Sequence, residues 1–364
     1  MASKSASTAL PDPIYPFRIL TLIGFLTQWV TMMLNGSFKA LRKTYQNASL
    51  ASGTPLKTVW TGFVPLDRVI ALNVAFFGAV VHLGDLPYTG SYLMLVDLAY
   101  CLAVFGLMTV VEDRRNRKTG PLRRPSYWQL LWNSCGAASI LPIYLHLYFK
   151  KRTTKPLPAD QAQALPFTAV WTLLLWLPLL LPGVVGVAPF QVQKLIVVWY
   201  SLPLTLGPVQ DLISRAFAST HHSSKDTANP VIISYWVVGS FSAVIHISSV
   251  IWASLAPGLS WSSIYWPNHG AVQSNAKMLT EGAMLFLQYD YVVIYFCVLT
   301  LGVYMLGFDK IIAAHSAGEK LRAGRPLLLL SVVTTVGGPG AGVAWLMCIK
   351  EREIEAADSL SKKA

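Results

Sequence analysis

Long apolar runs, repeated along most of the chain, limit what this protein can fold into more than any other feature. An α-helix needs about 20 apolar residues to cross a lipid bilayer, and 54% of the 364 residues are hydrophobic while only 13% are charged. These values lie far outside the averages of soluble domains. The runs occur at 18–38, 64–83, 91–111, 127–149, 165–187, 190–210, 230–253, 283–307 and 327–349. The predicted fold class is therefore all-α, a polytopic transmembrane helix bundle.

The chain is expected to fold as one unit, because it shows no internal repeat, no low-complexity segment and no long linker. Residues 1–350 are predicted to form a single transmembrane helical domain, and residues 351–364 a polar, exposed C-terminal tail. Residues 1–13 lack the features of a cleaved signal peptide. The first apolar run would therefore direct the chain to the membrane, which we expect to be that of the endoplasmic reticulum.

Positive charge is concentrated in short connections between the apolar runs. The formal net charge is +12, but Lys and Arg in such positions determine membrane orientation and do not form a nucleic-acid surface. Nucleic acid is therefore not an expected partner. The basic connections are 39–57, 114–124, 150–155, 215–225 and 310–325, and those without Lys or Arg are 84–90, 187–190 and 254–276.

This distribution of charge predicts about eight crossings plus one irregular or re-entrant segment. If all nine runs crossed, basic connections would fall on both sides of the membrane. If 127–149 dips in and returns, which Pro142 within it favours, the five basic connections share one side, and that side is expected to be cytosolic. Two observations oppose this topology. The N-glycosylation sequons Asn35-Gly-Ser and Asn47-Ala-Ser would be cytosolic, and the basic C-terminal tail would be lumenal.

Ionisable side chains inside or beside the apolar runs are the candidate catalytic residues. A carboxylate inside a membrane helix costs about 2.5–3.5 kcal/mol on insertion scales, so it persists where it has partners or a function. The topology puts Asp97, His246 and Asp290 roughly 10 Å inside the same face of the membrane. Glu281 lies at the interface above them. Structural roles are also open, because a buried acid or histidine can link helices by a hydrogen bond and Glu281 can complement a helix dipole.

Helix geometry separates Glu281 from Asp290. The two residues are nine positions apart, which puts them on opposite faces of one helix and about 13 Å apart along its axis. They cannot form a side-by-side pair of carboxylates. Asp290 is therefore the candidate acid or proton carrier, with His246 and Asp97 as its candidate partners from other helices. Glu281 is a candidate for proton supply at the interface.

Aromatic residues are plentiful near Asp290, and some of them could line a cavity and present their faces to a cation. Many aromatic side chains of membrane proteins instead form interfacial belts, and the sequence does not separate the two uses. The candidate substrate-binding residues are Tyr289, Tyr291, Tyr295, Phe286 and Trp236.

The sequence lacks the motifs of the common cofactors and metals. There is no Asp-Asp-x-x-Asp motif for Mg²⁺-bound diphosphate, no P-loop, no G-x-G-x-x-G and no G-x-S-x-G. His221-His222 has no third ligand nearby, and the four cysteines show no metal or disulfide spacing. We therefore expect no metal and no cofactor. The glycine-rich stretch 337–342, inside the last run, is interpreted as a surface for close helix packing.

The segment Phe286-Leu-Gln-Tyr-Asp290-Tyr resembles a family of fungal integral-membrane terpene cyclases, as do residues 14–18 (Ile-Tyr-Pro-Phe-Arg) and 207–211 (Gly-Pro-Val-Gln-Asp). These enzymes act in meroterpenoid pathways such as those of ascochlorin, ascofuranone and macrophorin, and the hydropathy pattern is similar over nearly the full chain. The resemblance implies a metal-independent reaction in which an acid protonates a terminal epoxide or olefin of a prenylated, often farnesylated, substrate. A carbocation cyclisation follows. The buried acid that this chemistry needs is assigned to Asp290.

The same resemblance gives the other polar residues supporting roles. Glu281 or Asp97 would replenish or accept the proton, and His246 would orient Asp290 or act as the terminal base. The implied partners are a lipophilic prenylated small molecule and membrane lipid, and the oligomeric state is left open. Two other functions also fit buried ionisable groups, namely a proton-coupled membrane transporter and a sterol-type double-bond isomerase. A non-catalytic membrane protein is a further alternative.

Overall fold

Helices account for nearly all of the regular structure in the described part of this protein. The computed structural model describes residues 12, 14–50, 52–81, 90–115, 120, 122–151, 153, 155–218, 228–274, 277–307 and 320–361. Within these ranges the only strand-like pairing is an isolated bridge between Ser49 and Pro55. The predicted all-α fold is therefore confirmed.

The helices pack around one hydrophobic core. They are α1 (Ile14–Phe25), which continues through a π-helical turn (Leu26–Val30) into α2 (Thr31–Leu34), α3 (Ser37–Gln46), α4 (Val64–Val80), α5 (Gly90–Arg115), α6 (Pro125–Cys135), α7 (Ala137–Lys151), α8 (Ala159–Leu174), α9 (Leu177–Val184), α10 (Pro189–Ser201), α11 (Leu206–Ala218), α12 (Ala228–Leu255), α13 (Trp261–Tyr265), α14 (Met278–Met305), α15 (Lys320–Val336) and α16 (Gly338–Ser361).

Fewer helical stretches are long and apolar enough to cross a membrane than the nine apolar runs suggest. Among the described residues there are five, Ile14–Leu34, Gly90–Arg115, Pro189–Phe217, Asn229–Leu255 and Met278–Met305. Helices α8 and α9, which meet at an angle of 41°, give a sixth if they form one span. The predicted count of about eight crossings is therefore not confirmed. Two of the apolar runs, described next, explain part of the difference.

Helices α5 and α14 run side by side in the same direction, and we use them to define the two ends of the bundle. Near their starts Gly90 lies against Met284, and further along Asp97 and Tyr291 share a hydrogen-bonded cluster. We call the end where α5 and α14 begin the upper end. The lower end is where α5 finishes, at Arg115.

The fourth apolar run is a helical hairpin, made of α6 and α7 and called hairpin A. Helix α6 starts at the lower end, where the Arg124 N–H donates to Asp113 Oδ1 at 3.2 Å. It then rises antiparallel to α5, so that Gln129 meets Gly106. The helix stops at Gly136, whose φ of +85° lies in the left-handed region that glycine tolerates.

Helix α7 carries the chain of hairpin A back to the lower end. Ala138, in its first turn, bonds Asp290 in the middle of α14, whereas Phe149, near its end, meets Tyr304 near the end of α14. Both ends of hairpin A therefore lie at the lower end of the bundle. The re-entrant interpretation of 127–149 requires this arrangement.

The last apolar run is a second helical hairpin, formed by α15 and α16 and called hairpin B. Leu330 in α15 and Leu346 in α16 both reach Gly302, near the end of α14. Between them in sequence, Thr335 lies higher in the bundle, where its hydroxyl is 2.7 Å from that of Tyr295. The run therefore enters from the lower end and returns to it. The prediction that 327–349 crosses the membrane is wrong.

Hairpin B reverses at Gly338, which has a φ of +80°. Pro339 follows at the start of α16, where a helix does not need the missing N–H. A Cβ on Gly338 would come within 2.9 Å of the His246 ring. The glycine-rich stretch therefore forms the turn of hairpin B. Gly340 and Gly342 also pack closely against neighbouring residues, as predicted.

Gly338→Ala tests the turn of hairpin B. The variant combines left-handed backbone strain, of order 1–3 kcal/mol, with a clash between the new Cβ and His246. We expect a lower melting temperature in detergent. Gly258→Ala is the control, because Gly258 also has a positive φ (+78°) but has nothing within 4 Å of its Cβ position. Its loss should be smaller, and equal losses would show that the close approach to His246 does not matter.

The predicted exposed tail begins with a buried turn. Helix α16 continues without a break through residue 350, and Glu351 and Ile354 are buried. Because hairpin B returns to the lower end, Lys350 and Glu351 form ion pairs there with Glu112 and Arg115 of α5. The predicted exposure is therefore wrong at the start of the tail. The division of the chain at residue 350 stays a prediction.

The first basic connection lies at the upper end of the bundle. Ser37, at the start of α3, occupies the space beside Gly282 in the first turns of α14. Further along, the Lys57 N–H donates to Gln193 Oε1 at 3.0 Å, near the start of α10. The basic connections at Arg114 and Arg115 lie at the opposite end. The prediction that all five basic connections share one side is therefore wrong for the first of them.

Candidate active site

Asp290 binds the turn of hairpin A. Its Oδ1 accepts a hydrogen bond from the Ala138 N–H at 2.5 Å, and the Ala137 N–H and the Gln28 side chain also donate to this carboxylate. Only 4% of Asp290 is exposed. The first N–H groups of a helix have no partner within it and carry the positive end of its dipole, so they suit an anion. These hydrogen bonds to Asp290 therefore hold the start of α7 against α14.

The same carboxylate lines a pocket of about 300 Å³. Most of the wall is apolar, and it includes several aromatic side chains, among them Trp29, Phe76, Phe77, Trp176, Trp199 and Phe286. Among the described residues of the wall, Asp290 is the one carboxylate. The pocket is therefore an apolar chamber with a single acid in its wall.

Edge-to-face contacts fix the aromatic rings of this pocket. The Phe286 ring centroid is 5.6 Å from that of Trp29 and 5.4 Å from that of Phe76, with interplanar angles of 88° and 74°. Phe77 and Trp199 are 4.7 Å apart. Such packing is favourable for aromatic pairs, and the ring faces attract cations. The chamber therefore combines a buried acid with rings held in defined orientations.

Asp97 and His246 lie together in a second buried cluster. His246 Nδ1 is 2.7 Å from Asp97 Oδ2, and the Tyr265 hydroxyl donates to the same oxygen at 2.8 Å. The Tyr291 hydroxyl is 2.9 Å from His246 Nδ1. Burial, together with the Asp97 carboxylate, raises the pKa of Tyr265, so its hydroxyl keeps the proton that it donates. Asp97 and His246 thus meet each other, but neither is a hydrogen-bond partner of Asp290.

The second cluster also binds the turn of hairpin B. The His246 ring forms a hydrogen bond with the backbone carbonyl of Thr335, in the last turn of α15, where carbonyls have no partner within the helix. Asp290 and Tyr291 are consecutive in α14, so their side chains point about 100° apart around its axis. Asp290 contacts the turn of hairpin A, and Tyr291 contacts the cluster that binds hairpin B. Neighbouring residues of one helix are therefore linked to both hairpins, Asp290 directly and Tyr291 through His246.

Except for Phe286, the other predicted site residues lie outside the wall of the chamber. Of the predicted substrate-binding residues, all of which the structure describes, only Phe286 is part of its wall. Tyr289 and Tyr295 bond side chains outside the chamber, and Trp236 is 56% exposed on α12. Glu281 is partly buried in the first turn of α14 and is also absent from the wall.

Most of the chamber escapes prediction from the sequence. Trp29, Phe77 and Trp199 come from different helices, and each resembles an ordinary aromatic residue of a membrane segment. Gln28 could have been identified from the sequence, because an amide inside an apolar run needs hydrogen-bond partners. In the structure this side chain is buried, with 1% of the residue exposed. Among the described residues, no group of three or more His, Cys, Asp or Glu is placed to hold a metal ion.

The fold and the chamber together define an all-helical membrane protein with a buried, largely apolar chamber. A family model described as the CtvD domain matches residues 15–354. The chain therefore belongs to the CtvD domain family.

Curated relatives of the chain share one kind of name. The chain is 27% identical to terpene cyclase DEP1 of Fusarium langsethiae, over 92% of this chain and 97% of the relative. It is 25% identical to terpene cyclase DEP1 of Alternaria brassicicola (93% and 98%) and 22% identical to terpene cyclase alnG of Emericella nidulans (78% and 81%). No solved structure gives a significant match. The resemblance to fungal terpene cyclases is thus confirmed, and the chain is an enzyme of the cyclase type.

Proposed function

We propose that Asp290 protonates a terminal epoxide or olefin of a prenylated, farnesyl-bearing meroterpenoid intermediate and so starts its cyclisation. The observation that carries this proposal is the single carboxylate in the wall of a chamber that is otherwise apolar and aromatic. The names of the relatives support ring closure of a terpenoid. An apolar chamber between membrane helices suits a substrate that dissolves in lipid.

The proposed reaction is an isomerisation, because one proton enters and one leaves. With an epoxide, the Asp290 O–H transfers its proton to the epoxide oxygen, and the bond from that oxygen to the more substituted carbon breaks. The π-electrons of a neighbouring double bond then form a new C–C bond, and the positive charge moves along the chain. Loss of a proton from a carbon beside the last cation forms an alkene. Asp290 must regain a proton before the next turnover.

Hairpin A supports the proton transfer. The N–H groups of Ala137 and Ala138 donate to the carboxylate that remains when Asp290 has given up its proton. These hydrogen bonds, and the positive end of the α7 dipole, stabilise that anion. Because the donors are already in place, they need no reorganisation during the reaction.

The aromatic wall supports the carbocation steps. Phe286 directly precedes the turn of α14 that holds Asp290, and it packs against Trp29 and Phe76. Ring faces stabilise a cation within about 6 Å of their centroids, more strongly when water is absent. An apolar wall also keeps away water that would end the reaction early. Both effects favour ring closure over simple hydration.

Asp97 and His246 are proposed to position Asp290. They bind Tyr291, the next residue of α14, and therefore set the rotation of that helix. Terminal deprotonation by His246 and proton supply by Asp97 or Glu281 stay predictions. None of these three side chains is part of the chamber wall. A lipophilic substrate delivered from the membrane of the endoplasmic reticulum also remains part of the proposal.

A groove between α1 and α7 is the proposed route of the substrate from the membrane. It has a volume of about 800 Å³ and shares Trp29 and Cys135 with the wall of the Asp290 chamber. Its other end carries Arg18 and His146, which can hydrogen-bond the oxygens of an aromatic head group. Residues 18 and 29 are separated by about 16 Å of helix. That length suits a farnesyl chain with its terminus at the acid.

Ile143→Trp tests this route, because Ile143 lines the groove but not the chamber. The larger ring should obstruct the farnesyl chain. We expect KM to rise about tenfold, equivalent to about 1.4 kcal/mol of lost binding, with kcat changed little. Val170→Trp is the control, since Val170 is similarly exposed on α8 and lines neither space. An unchanged KM in Ile143→Trp would contradict the route and leave the acid assignment untouched.

Turnover of a farnesylated phenol, supplied with and without a terminal epoxide, tests the function itself. Membranes that contain the protein should give a cyclised product of the same mass as the substrate. Proton-linked uptake into vesicles without conversion would instead identify a transporter. Movement of a double bond without ring closure would identify an isomerase.

A further inference from the structure

We propose that Asn47 carries an N-linked glycan and that the upper end of the bundle faces the lumen of the secretory pathway. Asn47-Ala48-Ser49 is an acceptor sequence for N-glycosylation. Asn47 caps the C-terminal end of α3, and its side chain is exposed. The proposal rests on the topology of the bundle and is independent of the proposed reaction.

The start of α3 ties this segment to the upper end. Gly36 lies against the Met278 side chain, and Ser37 occupies the space beside Gly282. Helix α14 begins at Met278, at the upper end. The ten residues of α3 then lead directly to Asn47.

A second set of contacts, formed by the residues after Asn47, also fixes the position of the sequon. The Ala48 carbonyl accepts a hydrogen bond from the Leu56 N–H at 2.8 Å, which closes a loop behind the sequon. Gln193, near the start of α10, holds this loop, because its side chain accepts from the Lys57 N–H and donates to the Pro55 carbonyl. The sequon is therefore fixed to the start of α10.

The start of α10 also lies at the upper end. It follows α9 directly, and Gly183 in the last turn of α9 lies against the Val81 carbonyl at the end of α4. Two residues earlier, the Ala79 carbonyl accepts a hydrogen bond from Thr280 in the first turn of α14. Both sets of contacts therefore place Asn47 at the end of the bundle where α14 begins.

The lower end collects most of the basic connections. It includes Arg114, Arg115, Arg124, Lys150, Lys151, Lys155, Arg215 and Lys350. Excess Lys and Arg mark the cytosolic side of a membrane protein. The upper end, with its connection at 254–274 that lacks Lys and Arg, is then lumenal. The enzymes of N-glycosylation act on that side.

The neighbouring sequon Asn35-Gly36-Ser37 does not offer the same access. The Asn35 side-chain oxygen accepts a hydrogen bond from the Ser37 N–H at 3.0 Å, and its Nδ2 is buried. Ser37 itself is 0% exposed, against α14. A glycan on Asn35 would prevent α3 from packing there. The structure therefore separates one usable sequon from one unusable sequon in the same connection.

Expression in yeast, followed by treatment with a peptide-N-glycosidase, tests the proposal. The wild-type protein should gain mobility on a denaturing gel after treatment. Asn47→Gln should abolish this shift, and Asn35→Gln should leave it unchanged. The assignment to Asn47 would be overturned if the wild-type protein showed no shift. It would also be overturned if Asn35→Gln lost the shift while Asn47→Gln kept it.

Two engineered sequons in the Asn47→Gln background test the orientation. Gly258→Asn creates Asn-Leu-Ser in the turn beside Gly90, at the upper end, and it should be glycosylated. Lys151→Asn creates Asn-Arg-Thr at the lower end, and it should not be. The reverse pattern would overturn the orientation. Modification of Gly258→Asn together with an unmodified wild-type chain would overturn the glycan at Asn47 while the orientation stands.

Discussion

Asp290→Asn should abolish cyclisation and leave the bundle folded. The amide retains an oxygen that can accept the Ala138 hydrogen bond, but it has no acidic proton to transfer. A positioned general acid contributes about 10²–10⁴-fold to a reaction rate. We therefore expect kcat to fall by at least about 10²-fold. Product formation from an epoxidised farnesyl phenol, at equal amounts of folded protein, gives the value.

Two measurements make the result for Asp290 interpretable. Asp290→Glu keeps the acid but displaces it by one methylene group, so part of the activity should remain. The melting temperature of Asp290→Asn in detergent should stay near that of the wild type, which excludes unfolding as the cause. Full activity in Asp290→Asn would remove this residue as the proton donor.

Arg115→Met should cause the largest loss of stability among single substitutions proposed for this protein. Arg115 Nη2 is 2.5 Å from Glu351 Oε1, and its Nε is 3.5 Å from Glu112 Oε1, with all three side chains almost completely buried. Removing one partner of a buried ion pair costs about 3–5 kcal/mol, because a charge is left uncompensated. The melting temperature in detergent should fall accordingly.

Two further variants separate the buried charge from general damage to the helix end. Arg352→Met is the matched control, because Arg352 is exposed beside Glu351 and surface substitutions usually change stability by no more than about 0.5 kcal/mol. The double variant Arg115→Met with Glu351→Gln neutralises the stranded carboxylate and should recover part of the loss. A double variant less stable than Arg115→Met would contradict this explanation.

Charge and hydropathy predicted the architecture only where they agreed with each other. Hairpin A could be predicted from the sequence, because its run has basic residues at both ends and Pro142 within it. Hairpin B carried a comparable signal, since Gly338-Pro339 is a typical break between helices. Its run, 327–349, is nevertheless long enough to span a bilayer. Length alone therefore gave the wrong topology.

The sequence indicated the acid of the candidate site but not its surroundings. Asp290 stood out because a carboxylate inside an apolar run is unfavourable without a partner or a function. Rings such as Trp29 and Trp199 gave no such signal, because inward and outward aromatic residues look alike until the rotation of each helix is known. Asp97, His246 and Asp290 were predicted to lie at one depth, and the first two form a hydrogen bond with each other. Depth does not give angle, however, and Asp290 bonds Ala138 instead.

The ion pairs at the lower end join two helices that are far apart in the sequence. Helix α5 is translated early, yet its buried Glu112 and Arg115 meet Lys350 and Glu351 only when hairpin B has been made. The lower end of the bundle can therefore close only after hairpin B has been synthesised. A chain truncated before residue 350 would leave the buried Glu112 and Arg115 side chains without these partners.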